Sequence, residues 1–141
     1  MTLSDDEREQ FFAEPHIAAL AVPAGPERGP LTVPIWYQYS PGGEPWILTQ
    51  ANSRKARLIQ EAGHFSLMID RVEPTTRYVA VDGPVSRIVP GTDALRDEMV
   101  HRYLDPEAAE RYFEFARQHL ADDVAIYMRP QHWLSSDMGT F

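Results

Sequence analysis

The residues best able to do chemistry lie together in Leu48-Thr49-Gln50-Ala51-Asn52-Ser53-Arg54-Lys55. Two hydroxyls, a guanidinium and the only lysine of the chain fall where a strand pattern ends and a helical one begins. The first N–H groups of a helix lack internal partners, and the helix dipole is positive at that end, so the position attracts anions. Thr49 and Ser53 add hydroxyl donors, Arg54 a planar fork and Lys55 a point charge. This combination predicts a phosphate site. The dipole alone disfavours cations in a first helical turn, and a bound anion removes that conflict. A second reading stands beside it: Arg54, Lys55 and Arg57 as a solvated helix face, with Arg57 paired to Glu61 one turn on.

Other chemistries find less support. The histidines are His16, His64, His101, His119 and His132, and none forms an HxH or HExxH pattern, so no metal site is expected. There is no nucleophile elbow and no Ser–His–Asp order, which argues against a hydrolase. With no cysteine, disulfides, zinc–thiolate sites, iron–sulfur clusters and thiol nucleophiles are excluded. Asp122-Asp123 reads as a loop and helix-end feature. Trp36, Tyr37, Tyr39 and Trp46 allow two readings, stacking on a bound ring or packing in a core or dimer contact. A formal net charge of −8 disfavours generic binding to nucleic acid or anionic membrane. No apolar run approaches the roughly 18 residues of a membrane span. Met1 to Glu14 is acidic and lacks the basic start and apolar core of a secretory signal, so a cytoplasmic protein is expected.

The elements that must position the 49–55 stretch can be read from period and punctuation. Ser4-Asp5-Asp6-Glu7 is a capping box that opens a helix to about Ala13, stopped by Pro15. Ile17 to Val22 reads as a buried strand, and Pro23 to Pro30 as a loop. Leu31 to Tyr39 alternates, with Leu31, Val33, Ile35, Tyr37 and Tyr39 on one face, and Pro34 predicts an edge or a bulge. After the turn Ser40-Pro41-Gly42-Gly43, Trp46 to Gln50 is the next strand. Ser53 caps a helix from Arg54 to about Ala62, and Gly63 ends it. Phe65 to Asp70 is a strand, and Arg77 to Val89 is a long strand bent at Gly83-Pro84. Thr92 to Leu104 and a segment from Asp105-Pro106 form a helical pair over about 92–120, the second helix turning Ala109, Tyr112, Phe113, Ala116 and Leu120 inward. Val124 to Met128 is a last alternating strand before the segment Arg129 to Phe141. The order predicts a single domain over 1–141, mainly β with accessory helices, built as an antiparallel barrel.

Thr49-x-x-x-Ser53-Arg54-Lys55-Ala56 at a strand end resembles the flavin-phosphate motif of the pyridoxamine 5′-phosphate oxidase superfamily, split β-barrel proteins that bind FMN or the deazaflavin F420. Leu31-Thr32-Val33-Pro34-Ile35-Trp36-Tyr37 resembles the family strand that lines the isoalloxazine, and Arg77-Tyr78-Val79-Ala80-Val81-Asp82-Gly83-Pro84 its (R/Q)-x-V-x-x-x-G strand. Arg129-Pro130-Gln131-His132-Trp133 is similar to a late segment of actinobacterial relatives. The resemblance covers most of the chain. It implies an antiparallel split β-barrel homodimer with the cofactor at the subunit interface. Ser53, Arg54, Lys55 and Thr49 would hold the phosphate, Val33, Pro34, Ile35 and Trp36 would flank the ring, and Arg77, Tyr78 and Trp133 would complete the pocket, Tyr78 and Trp133 from the second subunit.

The chain departs from the family pattern in three places. Arg129 and His132 are spaced Arg-x-x-His where the pyridoxal-phosphate-forming enzyme has Arg-x-His, which speaks against that activity. Leu48 stands where the family places an aromatic residue, and Arg77 or Tyr78 where that enzyme has a flavin-contacting Gln. An Arg there suits a more anionic cofactor such as F420. The resemblance implies an oxidoreductase that moves a hydride to or from a small conjugated molecule, with FMN as cofactor and F420 as the alternative. No side-chain acid or base stands out, which keeps open a protein that binds or stores flavin, F420 or haem without turnover.

Overall fold

The Ser4 hydroxyl accepts from the Glu7 N–H at 3.2 Å, and the Glu7 carboxylate accepts from the Ser4 N–H at 3.1 Å. This closes a capping box at the start of α1 (Asp5–Ala13). The computed structural model describes residues 1–119 and 122–140. From α1 the chain runs through β1 (Ala18–Val22), β2 (Leu31–Ile35), β3 (Trp46–Gln50), α2 (Arg54–Ala62), β4 (His64–Arg71) and β5 (Thr76–Pro90). It continues through α3 (Asp93–Tyr103), α4 (Pro106–His119), β6 (Asp123–Met128) and β7 (His132–Gly139). Leu120, predicted to face inward, and Phe141 lie outside the described residues.

Every strand pairing is antiparallel, in the order β2-β1-β4-β5-β6-β3, with β7 on β5. The long strand β5 makes the barrel. Its first part, Arg77 to Pro84, pairs with β4, and from Val85 onward it pairs with β6, with a register shift between Val85 and Arg87. The predicted bend at Gly83-Pro84 is therefore the place where one strand passes from one half-sheet to the other. The result is a mainly β, antiparallel split barrel with, among the described residues, four accessory helices. Phe11 and Phe12 of α1 and Ile59 of α2 are buried with Leu20, Phe65, Leu67, Val81 and Ile126 in its core. Each such side chain contributes on the order of 1.5–3 kcal/mol by leaving water.

The strand predicted over Leu31–Tyr39 ends at Ile35. Beyond it, only a single bridge from Gln38 to Trp46 remains. The cause lies on α3. The Tyr103 hydroxyl accepts from the Tyr37 N–H at 3.1 Å, and its one proton lies between the His16 carbonyl at 2.8 Å and the Tyr37 carbonyl at 2.9 Å, so the Tyr37 N–H is used away from any ladder. The Tyr37 ring is fully buried, and its hydroxyl donates to the Phe12 carbonyl at 2.6 Å. Burial pushes this phenol well above its ordinary range, so it stays a neutral donor. Pro34 does sit on an edge strand, since β2 ends the sheet. The Arg129–Phe141 segment, left without an assigned element above, contributes β7 over His132–Gly139.

The helical pair is tied down by Arg102. Its guanidinium donates to the carbonyls of Ala13 at 2.7 Å and Glu14 at 2.8 Å and to the Gln38 amide oxygen at 3.0 Å. A cation on the last carbonyls of α1 also meets the negative end of that helix's dipole. α3 thereby spans the end of α1 and the bend after β2, which fixes the roof over the 49–55 stretch.

One ion network predicts an acid limb of stability. Asp137 on β7 accepts from the Thr75 hydroxyl at 2.7 Å, the Gly139 N–H at 2.9 Å and the Arg77 guanidinium at 2.9 Å. The Thr75 hydroxyl first, then the Gly139 N–H and Arg77, hold its carboxyl down from 3.8 to about 2. Because the folded value is depressed, the stabilisation is complete above about 3.8 and is lost as pH falls through about 2. Urea unfolding across that window should show a decline that Asp137→Asn flattens. An unchanged acid limb in that variant would remove Asp137 from the account.

Candidate functional site

Ser53 has the extended backbone of an N-cap, and its hydroxyl accepts from the Ala56 N–H at 3.2 Å. It also lies 3.0 Å from the hydroxyl of Thr49, which is buried at the end of β3. One proton of the two hydroxyls serves their mutual bond, which leaves the other free to donate outward. The preceding loop is pinned at both ends. The Ala51 N–H donates to the Asp122 carbonyl at 2.9 Å, and the Ser53 N–H to the Gln50 carbonyl at 3.0 Å. At the far end Gly63 takes the left-handed conformation (φ 76°) that closes α2.

The N–H groups of Arg54 and Lys55 have no acceptor among the described residues, as expected for the first turn of a helix. Neither side chain has a carboxylate within 4.0 Å among those residues. Arg57 turns back to donate to the Asn52 carbonyl at 3.1 Å rather than pairing with Glu61. Two uncompensated cations, free N–H groups and a spare hydroxyl proton therefore meet at the positive end of a dipole. A phosphate fits that donor set.

This corner opens into a cleft of about 1370 Å³ between the barrel and the helical pair. The volume exceeds the roughly 300–1,000 Å³ of ordinary small-ligand pockets. Pro34, Ile35, Trp36, Thr49, Ser53 and Lys55 all line it, although they come from separate elements. Arg54 is exposed and outside the lining. Val33 packs on the barrel core. Arg77, Tyr78 and Trp133 are elsewhere in the chain. Arg77 is held by Asp137 at 2.9 Å and by Glu7 at 4.0 Å. Tyr78 is half-buried and stands between Asp70 and Ser136 across the sheet. Trp133 packs on Phe12 and Tyr39 with the Arg8 guanidinium 4.3 Å over its ring.

The aromatic residues Trp36, Tyr37, Tyr39 and Trp46 all pack within the chain, and Trp36 also lines the cleft. Tyr37 and Tyr39 are core side chains, and Trp46 packs on Tyr127. Trp36 lines the cleft but stacks on Tyr103 of α3 (4.8 Å, 12°) and lies 5.5 Å from Tyr112 of α4. Its ring thus docks the helical pair on the barrel.

Further residues complete the lining, and of these Asp93, Arg96, Asp97, Glu110 and Arg117 have no assigned role in the sequence reading. Leu48 and Gln50 flank Thr49, and the helices add Asp93, Arg96, Asp97, Glu110, Tyr112 and Arg117. Asp122, at φ 55°, and Asp123 close the far side, and Asp123 accepts from Arg96 at 2.7 Å. Asp tolerates the left-handed region better than most residues. In sequence this wall was marked by the inward face Tyr112, Phe113 and Ala116 and by Asp122-Asp123, read as a loop and helix-end feature. The Ser53→Ala variant separates two roles here. It should cost about 1 kcal/mol of stability through the lost cap, and in addition some affinity for a phosphate-bearing ligand. Lower stability with intact affinity would leave Ser53 a purely structural role.

No family model and no curated protein matches the chain. Solved structures do share its fold. An F420 reductase aligns over 89% of this chain and 94% of its own, with a TM-score of 0.70 and 24% identity. A conserved hypothetical protein of Mycobacterium tuberculosis aligns over 97% and 86%, with a TM-score of 0.73 and 23% identity. HutZ, the haem storage protein of Vibrio cholerae, aligns over 99% and 98%, with a TM-score of 0.62 and 17% identity. At these identities the likeness establishes the split-barrel fold. No helix among the described residues is long and apolar enough to cross a membrane.

Proposed function

We propose that this chain is a flavin- or deazaflavin-dependent oxidoreductase acting on a small conjugated organic molecule, with FMN as cofactor and F420 as the alternative. The observation that carries the reading is the convergence of Pro34, Ile35, Trp36, Thr49, Ser53 and Lys55 on one cleft, with Lys55 uncompensated at a helix start. The likeness to an F420 reductase supports it. A bound flavin or deazaflavin supplies hydride chemistry, and the protein supplies binding, orientation and electrostatics. Lys55, the α2 N–H groups and the Thr49–Ser53 pair hold the phosphate. Pro34, Ile35 and Leu48 provide an apolar wall, and the helical pair excludes water from above. The case for F420 from Arg77 weakens, since that guanidinium is occupied by Asp137 and Glu7.

The working unit in this proposal is a homodimer. On the outer face of the sheet Pro34, Ala19, Met68, Ala80 and Leu134 stand in one register row across five strands. Leu134 is 63% exposed and Met68 38%. Tyr78 is on the same face, and Pro34 belongs both to this row and to the cleft. A second copy laid on the row would bring its own residues to the cleft mouth.

A storage role without turnover is the second reading, favoured by the likeness to HutZ. Titration of the purified protein with FMN and with F420, followed by fluorescence, tests the first reading. Tight binding of either is expected, with turnover in a substrate panel. Binding without turnover favours storage, and binding of neither overturns both flavin readings.

A further inference from the structure

We propose that the Tyr112 hydroxyl and the Gln50 side-chain amide together seat an uncharged oxygen acceptor of the substrate, a carbonyl, under the helical pair. The proposal rests on the reading of the cleft as a cofactor and substrate site, and it names the residues that determine specificity there.

Most tyrosine hydroxyls near the helical pair are spoken for. Those of Tyr37, Tyr39 and Tyr103 are used within the chain, on the Phe12 carbonyl, the Glu9 carboxylate and the His16 carbonyl. Tyr112 of α4 is half-buried and lines the cleft, and its hydroxyl has no hydrogen-bond partner among the described residues. The ring is nonetheless fixed. It lies 5.5 Å from the Trp36 ring, which is itself stacked on Tyr103 at 4.8 Å. Among the described residues Arg102 Nε is the one buried polar side-chain atom without a partner, so the Tyr112 oxygen is accessible, and it borders the cleft. Burial, and then the Asp123 carboxylate, push this phenol above its ordinary range, so it stays a neutral donor. Asp123 is itself engaged, accepting from Arg96 at 2.7 Å.

Gln50 answers it from the barrel. Its backbone is fixed twice, by the ladder pairing with Asp123 and by the Ser53 N–H, which donates to its carbonyl at 3.0 Å. Its side chain is half-buried, lines the cleft and has no hydrogen-bond partner among the described residues. Leu48, two residues back on the same face of β3, packs on the cluster that holds Met99 of α3. The Gln50 side chain thus emerges beneath the helices, beside the Asp123 whose charge Tyr112 feels. A phenol O–H and an amide N–H are both donors, and a carbonyl oxygen has two lone pairs to receive them. Leu48, Met99, Val100 and Phe113 make the surrounding wall apolar. A ligand with no oxygen here would strip both groups of water and leave them unpaired, which is unfavourable. A carboxylate would meet the charge of Asp123 at the same place. The pair therefore favours a neutral oxygen carried on an apolar ring system.

The test is calorimetric titration of the full chain, with and without FMN or F420, using tetralone, tetralin and naphthoate as matched probes, together with the infrared carbonyl band of bound tetralone. Tyr112→Phe keeps the ring on Trp36 and removes only the hydroxyl. It should weaken tetralone binding by roughly threefold to tenfold, as one neutral hydrogen bond is lost, and leave tetralin unchanged. Gln50→Leu should act in the same direction. In both variants the carbonyl band of bound tetralone should move to higher frequency, a change that altered packing alone does not produce. Naphthoate should bind the wild type more weakly than tetralone. The affinities for FMN and F420 should be unmoved in Tyr112→Phe, since the phosphate corner is at Lys55. Equal losses for tetralone and tetralin, a carbonyl band in the same place in wild type and both variants, or no binding of tetralone would overturn the proposal. A shifted band in a protein that binds neither cofactor would leave the Tyr112–Gln50 pair in place and remove the cofactor reading. Cofactor binding with an unshifted band would do the reverse.

Discussion

Lys55→Ala should weaken binding of a phosphate-bearing flavin by roughly tenfold to a hundredfold, while making the ligand-free protein slightly more stable. The two signs come from one arrangement. Lys55 lines the cleft in the first turn of α2, with no carboxylate within reach among the described residues. A charge-assisted hydrogen bond is worth about 1.5–3 kcal/mol, which gives the loss of affinity. A cation at the positive end of a helix dipole costs about 0.3–1 kcal/mol when no anion is present, which gives the gain on its removal. Arg54→Ala should have the smaller effect on affinity, because Arg54 points outside the cleft lining. Titration and thermal melting of the two variants, with and without FMN, measure all four quantities. Equal affinity in wild type and Lys55→Ala would remove the phosphate from this corner.

Gly83→Ala should be the most damaging single methyl addition in the barrel. A Cβ there would fall 1.9 Å from the Arg129 carbonyl oxygen and 2.9 Å from its carbon. Both are backbone atoms, and that backbone is itself fastened. The Arg129 N–H donates to the Pro84 carbonyl at 2.9 Å, and the Gln131 N–H to the Asp82 carbonyl at 3.0 Å. The methyl therefore has to push β5 away from the β6–β7 connection at the point where β5 changes sheets. Overpacking typically costs about 1–3 kcal/mol, and a rigid neighbour puts this site at or above the upper end. A loss of about 3 kcal/mol corresponds to a Tm lower by about 10 °C for a domain of this size. Gly29→Ala is the internal control, since nothing lies within 4 Å of its added Cβ. Melting of Gly83→Ala alongside Gly29→Ala would show that the connection yields, against this account of the crossing.

The parts of the molecule legible in the sequence are those governed by neighbours three or four residues away. The Ser4–Glu7 box, the Ser53 cap and the Gly63 stop all stand where local spacing predicted them. The bend at Gly83-Pro84 was also visible, although its purpose, a change of sheet, was not. What escaped was set by distant partners. The strand from Leu31 stops at Ile35, and Tyr103, 66 residues beyond Tyr37, takes that tyrosine's backbone N–H. The hold of Asp137 on Arg77, 60 residues apart, is another such distant contact. β7 shows no clean alternation of apolar and polar residues, because Leu134 and Met138 face outward while Ser135 is buried. The helical side of the cleft combines residues of α3, of α4 and of the turn into β6, so no single stretch of sequence reveals it.

The central claim is that the Ser53–Lys55 corner binds the phosphate of a flavin-type cofactor. The most direct measurement compares the affinities of FMN and riboflavin, and of F420 and its phosphate-free chromophore, for the wild-type protein and Lys55→Ala. The account predicts that the wild type binds at least one phosphate-bearing cofactor at least about tenfold more tightly than its phosphate-free form, and that Lys55→Ala removes most of the difference. Equal affinity with and without the phosphate, or no binding of either cofactor, would contradict it.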